Sequence, residues 1–159
     1  MASGKAIPPG YTTVTPSMTV KDAPKVIEFY KKAFGATEKM RMPGPDGKIM
    51  HAEIQIGNSI IMMNDEVMGS RSAQTLGGCP ISFYVYVEDA DAAFKKAIAA
   101  GAKQQYALTD MFWGDRMGTL EDPFGYKWTI AQHVKDVSPE QMKKGQEEFM
   151  KQMAGAGSH

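Results

Sequence analysis

Val20-Lys21-Asp22, continuing through Lys31-Lys32-Ala33 to Gly35-Ala36, is one half of a repeat; the other half is Val87-Glu88-Asp89, continuing through Lys95-Lys96-Ala97 to Gly101-Ala102. Each copy holds an Asp where a helix N-cap belongs, a helix with lysines on its wet side, and a Gly-Ala stop. The segments around the two copies are also alike. An alternating strand precedes each, and the runs from Gly47 to Glu53 and from Lys127 to Ala131 behind them both read as strand. The repeating unit is strand, helix, then several strands. Two units of this kind stack or close around something, and the faces their strands share are the place to look for a site.

In the first unit, Thr12 to Val20 alternates, with Val14, Met18 and Val20 on one face and Thr13, Thr15, Ser17 and Thr19 on the other. Asp22-Ala23-Pro24 opens the helix, whose apolar stripe is Val26, Ile27, Phe29, Tyr30, Ala33 and Phe34. Pro43-Gly44-Pro45-Asp46-Gly47 is a turn, after which Met50, Ala52, Ile54 and Ile56 alternate with His51, Glu53 and Gln55. Residues 66–79 have the Gly/Ser composition of a connecting loop. In the second unit Ile81, Phe83, Val85 and Val87 oppose Ser82, Tyr84 and Tyr86, and Ala90, Phe94, Ala97 and Ile98 form the buried side of the helix. Asp122-Pro123-Phe124-Gly125 turns into a strand from Tyr126 to His133 whose Trp128 reads as core and Thr129 as open face. Ser138-Pro139-Glu140-Gln141 is a capping box for a last helix that Gly145 weakens.

The 159-residue chain is one domain's worth. Lysine plus arginine and aspartate plus glutamate both number 18, with no basic cluster, so no electrostatic footprint for nucleic acid exists. The single cysteine, Cys79, forms no internal disulfide and reads as an inert small apolar residue. No apolar run reaches the roughly 18 residues of a membrane span, and the N-terminus carries no leader pattern, so the expected location is cytoplasmic. The expected organisation is one domain over 1–135, made of modules 11–66 and 80–133, a C-terminal helix over 136–153, and a flexible tail or cloning scar over 154–159.

The doubled pattern, the Ile27-Glu28-Phe29-Tyr30…Phe34-Gly35-Ala36 helix end, His51-Ala52-Glu53 and Asp122-Pro123-Phe124-Gly125-Tyr126-Lys127-Trp128 together resemble the glyoxalase/bleomycin resistance/extradiol dioxygenase (vicinal oxygen chelate) superfamily, and within it the PhnB-like branch. The resemblance runs from Tyr11 to about Gln141. It implies an α+β fold of two tandem βαβββ modules whose mixed sheet curls around a cavity, usually in a homodimer. It also implies, for many members, a divalent metal held by four side chains from cavity-facing strands. Those four positions fall here on Thr15, Glu53, Ser82 and Thr129, of which only Glu53 is a competent ligand, because neutral hydroxyls hold such metals poorly. No cofactor is therefore expected.

His51, two residues from Glu53 on the same strand face, leaves a divalent metal, and with it a metal-dependent lyase, isomerase or dioxygenase, as the alternative. If there is catalysis, Glu53 is the candidate base and His51 its partner. Trp113 can wall a pocket and Arg116 can bind an anion in bidentate fashion, while a local pairing of Asp115 with Arg116 is the competing reading. The expected site is a cavity for a small organic molecule lined by Thr15, His51, Glu53, Ser82, Tyr84, Tyr86 and Thr129, flanked by Trp113 and Arg116. Whether it sequesters its ligand or transforms it without a metal is left open by the residues.

Overall fold

The structure, a computed structural model, describes residues 4–156. In chain order the first module is β1 (Ser17–Val20), α1 (Ala23–Phe34), β2 (Thr37–Pro43), β3 (Ile49–Ile56) and β4 (Ser59–Asp65). A single-turn helix, α2 (Ala73–Leu76), lies in the connector. The second module is β5 (Ser82–Tyr86), α3 (Ala90–Ala100), β6 (Lys103–Asp110), β7 (Asp115–Glu121) and β8 (Lys127–His133), followed by α4 (Pro139–Ala156). The sheets have the matching orders β1-β4-β3-β2 and β5-β8-β7-β6, with the first strand of each parallel to the last and the remaining pairs antiparallel. The doubled βαβββ reading is thus the architecture, realised as two open four-stranded sheets.

The caps work as their residue types dictate. Asp22 Oδ1 accepts from the Lys25 N–H at 3.2 Å and Asp89 Oδ1 from the Ala92 N–H at 2.9 Å. Gly35 closes α1 at φ 66°, a left-handed conformation that a side chain would strain. Each module then ties its helix start to its last strand. Asp65, at the end of β4, accepts from Ala23 N–H and Ile49 N–H, both at 2.7 Å, and Gln132 on β8 accepts from Ala90 N–H at 3.2 Å.

The helices α1 and α3 pack against one another, and α1 also reaches the second sheet. Trp128 of β8, fully buried, stacks between Phe34 of α1 (4.3 Å between centroids) and Phe83 of β5 (4.4 Å). Behind it, Tyr30 of α1 donates to Asp122 Oδ2 at 2.6 Å, Trp128 Nε1–H donates to the same oxygen at 2.9 Å, and the N–H groups of Phe124 and Tyr126 donate to Oδ1. The Asp-Pro-Phe-Gly turn therefore joins the modules through one buried carboxylate. Burial raises the Asp122 pKa against the opposing pull of these donors.

Several expectations from sequence change, the burial of Ile98 on α3 among them, since it is 39% exposed. Strand β1 starts at Ser17, not Thr12, because Pro16 supplies no ladder N–H and the Thr12 and Thr15 hydroxyls fold 12–15 into a turn, leaving Val14 81% exposed. Part of the 66–79 loop is helical, capped by Ser72 with Gly77 at its end. Helix α4 continues through Ala156, three residues into the expected tail; residues 157–159 lie outside those described. Finally, Gly145 is a docking residue, since a Cβ there would lie 2.6 Å from Phe112 Cβ. The capping box itself forms, with Ser138 N–H donating to Gln141 Oε1 at 2.9 Å and Gln141 N–H to Ser138 Oγ at 3.2 Å. Gly145→Val is accordingly expected to undock α4 from Phe112 and expose 139–156 to limited proteolysis while the far-ultraviolet spectrum of the modules is preserved. Unchanged protection of that segment would contradict this packing.

Candidate functional site

The nine candidate residues do not converge on one point. Glu53 and His51 stand on β3, on the face of the first sheet away from α1, beside Met62 of β4 and Met40 and Met42 of β2 in the strand register. Glu53 is only 6% exposed. Its Oε2 accepts from the Tyr11 phenol and its Oε1 is 2.9 Å from His51 Nε2. Burial by itself would raise its pKa, but the Tyr11 and His51 hydrogen bonds outweigh it and hold the carboxyl below the usual range. Tyr11 lies in a segment before β1 with no apolar alternation and no motif spacing to mark it, and sequence reading misses it.

The sign of the pH dependence follows. A carboxylate whose folded pKa is depressed stabilises the fold fully above its unfolded pKa, near 4.3 for Glu, and loses that contribution as pH falls through the folded value. Glu53→Gln is expected to lose less stability than the parent on acidification from about pH 5 to about pH 3. Urea midpoints across that range check it, and parallel curves would contradict it.

Tyr84 and Tyr86 stand on β5, on the face of the second sheet away from α3, and share Asp115. Their hydroxyls donate to Asp115 Oδ2 at 3.1 and 2.9 Å, and His133 Nδ1 lies 2.8 Å from Oδ1. Burial, then the bond to Asp115, pushes the Tyr84 phenol up to about 12. The bonds to Asp136 and Asp115 raise the His133 pKa. Neither Asp115 nor His133 was legible as a site residue, though their pairing in the β7–β8 register (Asp115 opposite His133) follows once the hairpin is placed.

The other candidates are engaged elsewhere or at the margin. Thr15 Oγ1 donates to Thr12 O at 3.0 Å in the turn before β1. Thr129 is buried and shares a 3.0 Å hydrogen bond with Thr119. Ser82 is exposed at the start of β5. Trp113 packs edge-on against Phe112 at 5.0 Å, and its side chain also hydrogen-bonds Tyr84. Arg116 grips Asp91 with two bonds of 2.8 Å and reaches Asp110 at 3.1 Å, and these carboxylates, not Asp115, are its partners. Its guanidinium fastens α3 to β6 and β7.

The principal concavity is a groove of about 1120 Å³ along the unpaired edge of β5. One wall is the end of α1 (Ala33, Phe34) and the β3–β4 turn (Ile56–Ser59); the other is β5 with Trp128 and Ile130 of β8, and Ala93 and Lys96 of α3. Of the nine candidates only Tyr84 and Tyr86 line it. The chemistry of the donor set does not fit the four-ligand metal centre. Three of its positions are hydroxyls, two of them already bonded within the chain, and Glu53 has both oxygens occupied by Tyr11 and His51. Among the described residues no group of three or more His, Cys, Asp or Glu could hold an ion.

Two βαβββ modules around apolar seams, with polar clusters on the helix-free faces, define a paired-module α+β protein. The chain belongs to the glyoxalase/bleomycin resistance protein/dioxygenase superfamily, whose pattern residues 11–130 match. It is 42% identical over 135 residues to an uncharacterised protein of Mycobacterium bovis, covering 82% of this chain and 89% of that one. Among solved structures it is similar to TioX from Micromonospora sp. ML1 (26% identity, TM-score 0.61, 77% of this chain and 99% of that one). It shares its fold with a PhnB protein from Bacillus cereus (16% identity, TM-score 0.61, 76% of this chain and 99% of that one). No helix among the described residues is long and apolar enough to cross a membrane.

Proposed function

We propose that this protein binds a small organic molecule non-covalently in the groove beside β5, as a sequestering member of its superfamily. The observation that carries the reading is the groove itself: a space at or above the usual range for small-molecule sites, walled mainly by Phe34, Phe83 and Val85 with the buried Trp128 and Ile130 behind them, and with a few polar groups at its margin. Glu53 argues against a metal-independent isomerase, since a depressed pKa makes it a weak proton acceptor and both of its oxygens are already engaged. A homodimer belongs to the same reading, because Met150 and Met153 are left exposed on α4 and available to a second copy. A cytoplasmic location and the absence of a metal cofactor complete it.

The test uses 4-phenylbutanol as a neutral probe. It is expected to raise the melting temperature of the protein, and Ser59→Trp, which fills the groove from the exposed β3–β4 turn, is expected to abolish that rise without unfolding the chain. A rise that survives Ser59→Trp but disappears in Glu53→Gln would place the ligand on the first sheet and overturn the proposal. Protein purified without a metal-affinity step is expected to carry no stoichiometric Zn, Ni, Fe or Mn by plasma emission. One equivalent per chain that is lost in Glu53→Ala would restore the metal-dependent alternative.

A further inference from the structure

We infer that the Tyr84–Tyr86 rim of the groove, across the β5 edge from its apolar wall, is a recognition site for an organic ammonium group, with Asp115 as its buried counter-charge. This rests on the groove reading above and names the class of ligand it takes. The direction of the hydrogen bonds carries the argument. Both phenol protons go to Asp115 Oδ2 and the Trp113 side chain already hydrogen-bonds the Tyr84 hydroxyl, so what is left to offer, chiefly on Tyr86, is oxygen lone pairs. A ligand group meeting them must donate. An alcohol or amide can do so, but an ammonium also gains from the charge behind them.

That charge is fixed in place. Asp115 is 3% exposed, and His133 occupies its other oxygen, so the carboxylate can neither turn away nor meet the solvent freely. The Asp115 pKa lies below the usual range; burial opposes this, and the His133, Tyr86 and Tyr84 bonds prevail. The rings offer a second attraction. Their centroids are 5.2 Å apart at 52°, and Tyr84 and Tyr86 are 45% and 63% exposed, which leaves π faces open to a cation.

Carboxylates outnumber cations around this rim. Among the described groove-lining residues on the tyrosine side of β5, His133 is the one positive candidate, and its Nε2 lies 2.8 Å from Asp136 Oδ1, so the ring stands between two carboxylates. Glu88 lines the same stretch. Lys96, the single lysine or arginine among the groove-lining residues described, sits on the helix side of β5, its ammonium beside Gly35 at the carboxyl end of α1. It lies on the helix side, whereas Tyr84 and Tyr86 point to the opposite side of the strand.

The experiment compares three probes of one shape by calorimetry at neutral pH: 4-phenylbutylammonium, 4-phenylbutanol and 4-phenylbutyrate. The expected order is cation, neutral, anion, with the cation roughly tenfold tighter than the alcohol. Asp115→Asn, nearly isosteric, is expected to remove that preference while leaving affinity for the alcohol in place. Tyr86→Phe, which keeps the ring and loses the acceptor oxygen, is expected to reduce it in part. If the three probes bind alike, or the butyrate binds best, the groove stands and the ammonium assignment falls. If the alcohol and both ions fail to bind, the groove reading falls and this inference falls with it. A cation preference that survives both variants would place the recognition elsewhere and overturn the assignment.

Discussion

Asp122→Ala is expected to lower the folding stability by on the order of 4 kcal/mol, the largest effect of any single polar substitution in the chain. Asp122 is 4% exposed and accepts from four donors, the Tyr30 phenol, the Trp128 indole and two backbone N–H groups of its own turn. Truncation leaves all four without a partner in the interior, where each orphaned donor costs about 1–3 kcal/mol before relaxation. Two of the donors come from different modules, so the loss acts on the junction as well as on the turn. The urea midpoint should fall with an unchanged slope, and the melting temperature should fall by roughly 10 °C. A variant within about 0.5 kcal/mol of the parent would show that water replaces the carboxylate and that the junction does not depend on it.

Trp128→Ala should cost about 3–5 kcal/mol, the usual range for removing a large aromatic from a packed core. The indole is fully buried, stacked on Phe34 from the first module and Phe83 from the second. Its loss opens a cavity at a place where both modules meet the same side chain, next to the groove it also lines. Stability and probe binding should therefore fall together. Trp128→Phe separates the contributions, keeping most of the stacking while leaving Asp122 Oδ2 without its indole donor. It should retain more than half of the stability that alanine loses. Equal losses in the two variants would assign the whole effect to the hydrogen bond.

The parts of the fold that could be read from sequence are those where burial writes a period. Helix α1 shows it most clearly: Val26, Ile27, Tyr30 and Ala33, spaced for one helical face, are the buried residues between an Asp cap and a glycine stop. Strand β3 alternates in residue type, with Ala52, Ile54 and Ile56 against His51, Glu53 and Gln55, although burial in β3 and β8 is not confined to one face. Strands β2 and β6 leave little trace because they are the outer edges of their sheets and nearly every residue is exposed, so neither face selects an apolar type. Their existence follows only from the doubled pattern.

The strand face of several candidate residues was legible in the sequence, but their grouping was not. Tyr84, Tyr86, Glu53 and His51 were each placed on a helix-free strand face, where they stand. Periodicity gives a side chain's face and says nothing about which long-range partner reaches it. Tyr11, 42 residues before Glu53, and Asp115, 31 residues after Tyr84, join those faces through turns whose geometry no local spacing encodes. Arg116 shows the converse. A cation beside a Trp-Gly pair looks available in sequence, yet Asp91 lies 25 residues away and meets it in bidentate geometry once α3 packs on the second sheet.

The central claim is that this protein holds its ligand along β5, at the seam of the two modules. Chemical-shift mapping of the backbone amides during titration with 4-phenylbutylammonium tests it most directly. The account predicts perturbations concentrated on Phe83–Val87 and on the β3–β4 turn around Asn58 and Ser59, with the amides of His51 and Glu53 unmoved. Perturbations centred on Tyr11, His51 and Glu53, with β5 silent, would contradict it.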